Sequence, residues 1–564
     1  MDSRAEMGFN DTAFTPLGQS LLLQGKITQT QLSYVLQKQE VEGGRLGQLL
    51  LQQGLITEQD LAISLAEQRG IALMSIDMMP TPDPQLLTLF NRELCLMNGF
   101  MPLVHVDGGV DILIGNGDLQ TVTDLVQRRC GLRPNFMQGE FTQVAQLVRQ
   151  SYYFAQNPIE SLIKREVSML AADNDHARGP EKLLEYLLHL AVRERATDLH
   201  FVPSTNSQHL LFRIDGVLRP MLAMPVALSR LVVYVKLSSE MDISEQRRPQ
   251  DGSFQTTILD NPFTIRVSTL VSEYGERMVL RVLPERSDLA RLEHLGYRPE
   301  DVAYLQRLFA KPAGMVLITG PTGSGKSTTL HAALRLQALI ERNVLTVENP
   351  IEYRLPTVCQ TQVNRRAGYE FSTAVHHFLR HDPDVILVGE VRDAETAQAT
   401  VTAAATGHLV LSTLHVASVF GVVPRLVPLG LDPQIIAENL VAVVNQRLVR
   451  RNCPYCSTPV KLSEAERHWL GEHASEHVKH GSGCDRCAHT GYYGRLPVYE
   501  ILSVDDAMAN VLAEGHGRMA IREAAIKAGF RPMLDMAKWR IGQGQTTFEE
   551  VSRVVGENME LPNT

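Results

Sequence analysis

Two stretches near the start of the chain carry the same spacing of leucines. Residues 16–39 (PLGQSLLLQGKITQTQLSYVLQKQ) and 45–68 (RLGQLLLQQGLITEQDLAISLAEQ) agree at 12 of 24 positions across the spacer EVEGG. Each copy predicts two short helices. In the first, Leu17, Leu21 and Leu22 share a face, Gly25 ends the helix, Thr28 caps the next, and Leu32 and Leu36 lie a turn apart; Leu46, Leu50, Leu51, Gly54, Thr57, Leu61 and Leu65 repeat the pattern. Read from periodicity alone, 1–70 is a small helical packing module. Short apolar runs (MPLVHV, VDILIG) alternating with helical stretches make 71–154 a small α/β subdomain, and the polar stretch 155–180 reads as a linker.

From Glu181 the pattern changes again. A helix (EKLLEYLLHLAVRERA) leads into TDLHFVP, HLLFRIDGVLRP reads as strand, Asp-Gly turn and strand, and a helix and the strands IRVSTL and ERMVLRVL follow, so 181–285 is an α+β domain. In 286–450, strands such as MVLIT alternate with helices such as the one opening at Thr328. A cysteine-bearing segment, 451–500, and a helical region, 501–564, complete an α/β multidomain protein.

Length and composition fit that division. A chain of 564 residues with 44% hydrophobic residues holds about four domains by the usual length prior. The formal charge of -9 argues against a general nucleic-acid binder, which needs clustered excess Lys and Arg. The opening MDSRAEMGFN has no signal-peptide core and no run approaches 18 apolar residues, so a soluble cytoplasmic protein is expected.

The chemistry concentrates at Gly320, Pro321, Thr322, Gly323, Ser324, Gly325, Lys326 and Ser327, with Thr328 following: GPTGSGKS fits the phosphate-cradling pattern G-x-x-x-x-G-K-[ST] between a strand and a helix. Backbone N–H groups would close around the β-phosphate of ATP, Lys326 would reach the β/γ oxygens, and Ser327 would ligate Mg²⁺. Two later strands end in carboxylates, NVLTVENPIEY at Glu348 and DPDVILVGEVRD at Glu390, the placement that metal-dependent phosphoryl transfer requires. Arg213, Arg266, Arg277 and Arg281 fall on strands of the preceding domain. They are either solvated strand faces or arginine fingers for the γ-phosphate. Cys453, Cys456, Cys484 and Cys487 form two C-x-x-C pairs, the spacing of a closed, structural Zn²⁺ site, with a disulfide pair as the alternative; Cys95, Cys130 and Cys359 read as small buried hydrophobes.

Together these motifs resemble the secretion ATPase family that drives type II secretion and type IV pilus assembly. PQDG, IRVSTL, GER, GPTGSGKSTTL, TVENPIEY, LRHDPDVILVGEVRD, TGHLVLSTLH, QRLVR, the four cysteines and TGYYGRLPVYE carry the resemblance over 181–564. It implies a RecA-like P-loop ATPase core behind an α+β domain that supplies arginine fingers, Arg266 and Arg281 being the chosen candidates. It places Glu348 in an aspartate box, Glu390 in a Walker B motif, and His408 and His415 in a histidine box. Departures are Asn349 where Asp is usual, Ser253 after PQDG, and VASVFG after TLH. The tetracysteine module favours assembly or export over pilus retraction. The implied assembly is a homohexamer peripheral to the inner membrane, working with a membrane platform protein and a cytoplasmic membrane-docking subunit, with no nucleic acid.

The twin repeat resembles the cyclic-di-GMP-binding N-terminal domain of mannose-sensitive-haemagglutinin-pilus-type ATPases. The resemblance carries Leu17, Gly18, Leu21, Gly25, Leu32, Leu36 and Gln39 from one copy, and Arg45, Leu46, Gly47, Leu50, Gly54, Leu61, Leu65 and Gln68 from the other, as ligand residues. Pro16 stands where that family has Arg. The alternatives are a docking module for the repeat, a cyclic-di-GMP receptor with weak ATPase activity for the chain, or a nucleic-acid translocating motor.

Overall fold

The protein is described by a computed structural model over residues 16–74, 79–172, 179–225, 229–284, 291–337 and 339–556. It divides into two compact units, Met1–Val148 and Arg149–Thr564.

In the first unit each repeat folds as a helix pair, Leu17–Leu23 with Gln29–Glu42 and Leu46–Gln52 with Glu58–Arg69. Thr28 and Thr57 both cap, accepting the N–H of Gln31 and of Asp60, while those side chains bond back to the cap N–H. The copies interlock around their first glycines. A Cβ on Gly18 would lie 2.9 Å from Leu32 and 3.2 Å from Leu46, and one on Gly47 would lie 2.9 Å from Leu61 and 3.2 Å from Leu17. A four-stranded sheet follows in the order Ala72–Leu73, Arg133–Gln138, Gly109–Ile114, Phe100–Val106. Arg69 ties the last repeat helix to it through Gln138 Oε1 (2.8 Å) and the Gly117 carbonyl (2.9 Å).

The second unit opens with a correction. Within 155–180, expected as a linker, Ile159–Ala172 is a helix whose Ile159, Ile163 and Leu170 join the core of the next sheet. Those residues fall at i, i+4 and i+11, a helical stripe that the surrounding polar residues hide. Of the expected polar stretch ADNDHARGP, residues 173–178 lie outside the described residues.

Six antiparallel strands come next, in the order Val217–Pro225, Ser207–Ile214, Ala196–Pro203, Gly275–Pro284, Asn261–Ser272, Gln250–Ile258. Leu199, Phe201, Leu210, Phe212, Ile265, Val267, Met278 and Leu280 turn to a core shared with the helices Glu181–Arg193 and Ser229–Ser238. Alternation sends Asp198, His200, Arg213, Arg266, Arg277 and Arg281 to the opposite face.

The last sheet has seven strands, in the order Cys359–Gln362, Val344–Glu348, Val385–Val388, Leu409–Leu414, Gly314–Thr319, Leu440–Asn452, Tyr492–Ser503. All neighbours are parallel except the final pair. The central strands are buried on both faces, as a sheet covered by helices requires. Expectation and structure differ in two places. Leu440–Asn452 and Tyr492–Ser503 run through the boundaries drawn at 450 and 500 because their apolar residues pair with each other, so the cysteine segment is an excursion between two strands of the ATPase sheet. The helix after the phosphate loop spans Lys326–Arg335 only.

Candidate functional site

Parallel strands present their C-terminal ends at one edge, and there the chain gathers its phosphate chemistry. Gly314–Thr319 delivers the glycine loop, with Val385–Val388 two strands away, Leu409–Leu414 between them, and Val344–Glu348 beyond. The loop has no room for side chains at its first glycine. Gly320 has φ +136°, and a Cβ there would lie 2.3 Å from the Gln446 carbonyl. Gly325, at φ +87°, turns the chain into the helix that starts at Lys326. The Ser324 hydroxyl is buried without a partner, a cradle donor of the kind that phosphate oxygens satisfy.

Lys326 Nζ donates to the Gly320 and Pro321 carbonyls at 3.0 Å each. Burial pushes its ammonium below the ordinary lysine value, while Glu390 and Glu352 pull it back up. Glu390 follows Val385–Val388 and is held by Arg392 Nε at 2.6 Å and His415 Nε2 at 3.5 Å. Glu390, His415 and Lys326 therefore meet at the same sheet edge.

Glu348 departs from expectation. Its carboxylate is 4% exposed and accepts from Thr346 Oγ1 (2.8 Å) and Gln360 Nε2 (3.0 Å), with His331 Nε2 at 3.1 Å. Burial alone would raise it, but His331, Thr346 and Gln360 together hold it below the usual carboxylate value. His331 Nδ1 meets the Ser327 carbonyl at 2.8 Å. Glu348 is therefore engaged by Thr346, Gln360 and His331, and His331 links it to the helix that carries Ser327. The exposed carboxylate in the field of Lys326 is Glu352, which also acts on Arg266 of the preceding domain.

His408 is the second correction. It precedes Leu409–Leu414, at the end of that strand away from the phosphate loop, with Nδ1 2.9 Å from the Ala403 carbonyl and 3.1 Å from Thr406 Oγ1. Six strand residues separate it from His415, roughly 20 Å at ~3.3 Å per residue. It secures a helix end, and His415 alone of the pair lies beside Glu390.

Sequence reasoning missed the support under the loop. Gln446, 1% exposed, donates Nε2 to the Ser324 carbonyl (2.8 Å) and accepts through Oε1 from Tyr297 (2.7 Å) and Thr329 (3.1 Å). It lies inside the QRLVR match, whose residue types do not reveal a contact 122 residues away.

Of the arginines, Arg281 donates Nε to Asp198 Oδ1 at 3.0 Å, and Arg213 Nε lies 3.8 Å from Asp198 Oδ2. Arg266 stands directly opposite Arg281 across the strand pair.

The four cysteines converge. Their sulfurs all lie within 4.8 Å of one another, with Cys453 to Cys484 at 3.8 Å, Cys484 to Cys487 at 3.8 Å and Cys456 to Cys487 at 3.9 Å. A sulfur tetrahedron around Zn²⁺ at ~2.3 Å has edges of about 3.8 Å, whereas a disulfide needs about 2.05 Å. Burial and the neighbouring thiols push the Cys453 thiol up to about 12 and raise Cys456, while against burial the backbone N–H groups of Cys484 and Gly491 and the same neighbours bring Cys487 down to about 6, so the cluster shares its protons unevenly. The residues fit a structural metal.

In the repeat, Leu21 and Leu50 are fully buried and Leu32 nearly so, which makes them packing residues rather than ligand contacts. Gly18, Gly47 and Gly54 are buried as well. Pro16 and Arg45 occupy matching cap positions and are exposed, as are Gly25 and Leu36; Leu17, Gln39, Leu46, Leu61, Leu65 and Gln68 are half-buried.

Comparison with known proteins follows these features. The sequence profile of the Type II/IV secretion system protein family matches residues 173–553. Type II secretion system protein E of Dickeya dadantii is 42% identical over 387 residues, 67% of this chain and 76% of that protein. The type IV pilus assembly ATPase PilB of Thermus thermophilus is 34% identical over 533 residues, 91% of this chain and 59% of that protein. Among solved structures, the Legionella pneumophila ATPase DotB aligns with a TM-score of 0.51 at 22% identity, over 68% of this chain and 97% of that one, which extends the likeness of fold.

Proposed function

The chain belongs to the type II/IV secretion system protein family and is an ATPase, and from that premise we propose that it assembles as a homohexamer at the inner membrane and powers extension of a type IV pilus or type II pseudopilus. The observation that carries this reading is the meeting of Lys326, Glu390 and His415 at one sheet edge, with Arg266 and Lys326 both in the field of Glu352. The match to PilB covers 91% of this chain and that to protein E of Dickeya dadantii 67%, which supports pilus assembly.

In this reading the phosphate loop and Lys326 grip the β- and γ-phosphates of ATP, and Ser327 ligates Mg²⁺, which neutralises charge on the transferred group. Glu390, oriented by Arg392 and His415, takes the proton of the attacking water. Glu352 is added as a second carboxylate, and Glu348 with His331 positions the loop helix. Arg266 and Arg281 supply cationic charge to a γ-phosphate in a neighbouring subunit. Cys453, Cys456, Cys484 and Cys487 would hold Zn²⁺, which would supply a structural cross-link within the excursion. The work is passed to a membrane platform protein and a docking subunit. No helix among the described residues is long and apolar enough to cross a membrane. In a strain lacking this gene, the wild-type chain should restore surface filaments or secretion and Lys326→Ala should not; restoration by Lys326→Ala would overturn the motor reading.

Cyclic-di-GMP is the proposed regulator. Two exposed cap positions related by the repeat suit a ligand with two equal halves, and Arg45 can stack on or bond a guanine where Pro16 cannot. Calorimetry on the full chain should detect cyclic-di-GMP binding that Arg45→Ala weakens by ~10-fold or more and Pro16→Arg strengthens. Absence of binding in all three proteins would leave the repeat as a docking module.

A further inference from the structure

The arginine-bearing face of the six-stranded sheet contains a buried histidine that no role above uses. His200, in TDLHFVP, is 8% exposed, and neither ring nitrogen has a hydrogen-bond partner. It is not a core residue: Leu199 and Phe201 on either side turn to the apolar core, so His200 faces the other way with Asp198. The register places it between Leu211 of Ser207–Ile214 and Val279 of Gly275–Pro284. Arg213 comes from the first of these strands and Arg277 and Arg281 from the second, each two residues along and on the same face.

The face is unbalanced as it stands. Asp198 is the carboxylate to which Arg213 and Arg281 turn, and both do so through Nε, which leaves Nη donors for other acceptors. Arg213 spends Nη1 on the Gly216 carbonyl at 3.0 Å. Arg281 keeps its side chain 54% exposed and stands opposite Arg266, a like-charge cross-strand pair that Asp198 and Glu352 offset from its two ends. Burial and the guanidinium of Arg213, joined by Arg277 and Arg281, push His200 below its ordinary value against the upward pull of Asp198. A neutral imidazole offers one N–H to donate. Guanidiniums with free donors, a buried imidazole without a partner, and surplus positive charge are what a phosphoryl group satisfies.

We propose that His200 is a phosphoryl-contacting residue, donating a hydrogen bond to the same anion that Arg213, Arg277 and Arg281 approach. The proposal rests on the reading that this face supplies arginines to phosphoryl transfer. The anion is either the terminal phosphoryl group of a nucleotide seated on another copy's phosphate loop or free inorganic phosphate. Contact made only with a third phosphate should act on turnover and leave ADP binding alone.

The test uses the full chain as wild type, His200→Ala, His200→Gln and Arg281→Gln, with steady-state ATP turnover, ADP affinity, and inhibition by inorganic phosphate measured on each. His200→Ala should lower kcat ~10-fold or more with ADP affinity within about 2-fold of wild type, and His200→Gln, which keeps an N–H donor, should recover most of that loss. Weaker inhibition by phosphate in His200→Ala identifies free phosphate as a ligand. Unchanged inhibition with lowered kcat identifies the nucleotide's terminal group. The proposal is overturned if His200→Ala turns over like wild type, if it loses ATP turnover and ADP binding together, or if His200→Gln is as impaired as His200→Ala. Full turnover by Arg281→Gln would overturn the arginine reading, whereas loss there with no loss in His200→Ala would overturn the role of His200 alone.

Discussion

Glu390→Gln should bind ATP as the wild type does and hydrolyse it ~10² to 10⁴ times more slowly. The substitution keeps shape and removes the ability to accept a proton. Affinity comes from elsewhere, from the backbone of Gly320–Ser327 and from Lys326, none of which uses Glu390 as a hydrogen-bond partner. What the carboxylate holds is Arg392 at 2.6 Å and His415 at 3.5 Å, both at the sheet edge where water must be aligned. Nucleotide binding and single-turnover hydrolysis measured on the same preparation separate the two effects. Turnover close to wild type would remove Glu390 from the role of base and move attention to Glu352.

The largest expected effect on stability belongs to the cysteines. Wild-type chain should carry about one Zn²⁺, and a closed thiolate site of this kind contributes on the order of 10 kcal/mol of apparent binding free energy to the segment it closes. Cys484→Ser should lose the metal and loosen the segment between Cys453 and Gly491, whose remaining ties to the rest are both polar and apolar. Among them are Asn452 Nδ2 to the Lys479 carbonyl (2.7 Å), His473 to Asp535 (3.0 Å), and the Trp469 ring 5.5 Å from that of Phe548. Elemental analysis and hydrogen exchange read this directly: exchange should rise sharply in the excursion and little in Gly314–Thr319. Purified wild-type chain without zinc, or a variant whose exchange matches wild type, would contradict it.

Legibility in the sequence followed how local each constraint was. The phosphate loop could be read because backbone approach to a phosphate demands glycines at fixed spacing, as Gly320 and Gly325 do here. The cysteine pairs could be read because one metal fixes four ligands. His331, Gln446, Tyr297 and Glu352 could not, because each is a single residue whose partner is brought by sheet order rather than by spacing. His331 reaches Glu348 only because the loop helix lies beside the strand that carries it. Glu348 and His408 illustrate the converse, since a residue within a recognised motif can still point to a buried partner or stand at the far end of its strand. The helix Ile159–Ala172 was lost among polar neighbours, and the strand boundaries at 450 and 500 were lost because pairing between Leu440–Asn452 and Tyr492–Ser503 spans the cysteine excursion.

Steady-state ATP turnover of the full chain beside Lys326→Ala tests the central claim most directly, because removing the Lys326 side chain disables phosphate grip without touching the cysteine segment or the repeat. The account predicts Mg²⁺-dependent turnover by the wild type and none above background by Lys326→Ala; equal turnover by the two proteins would contradict it.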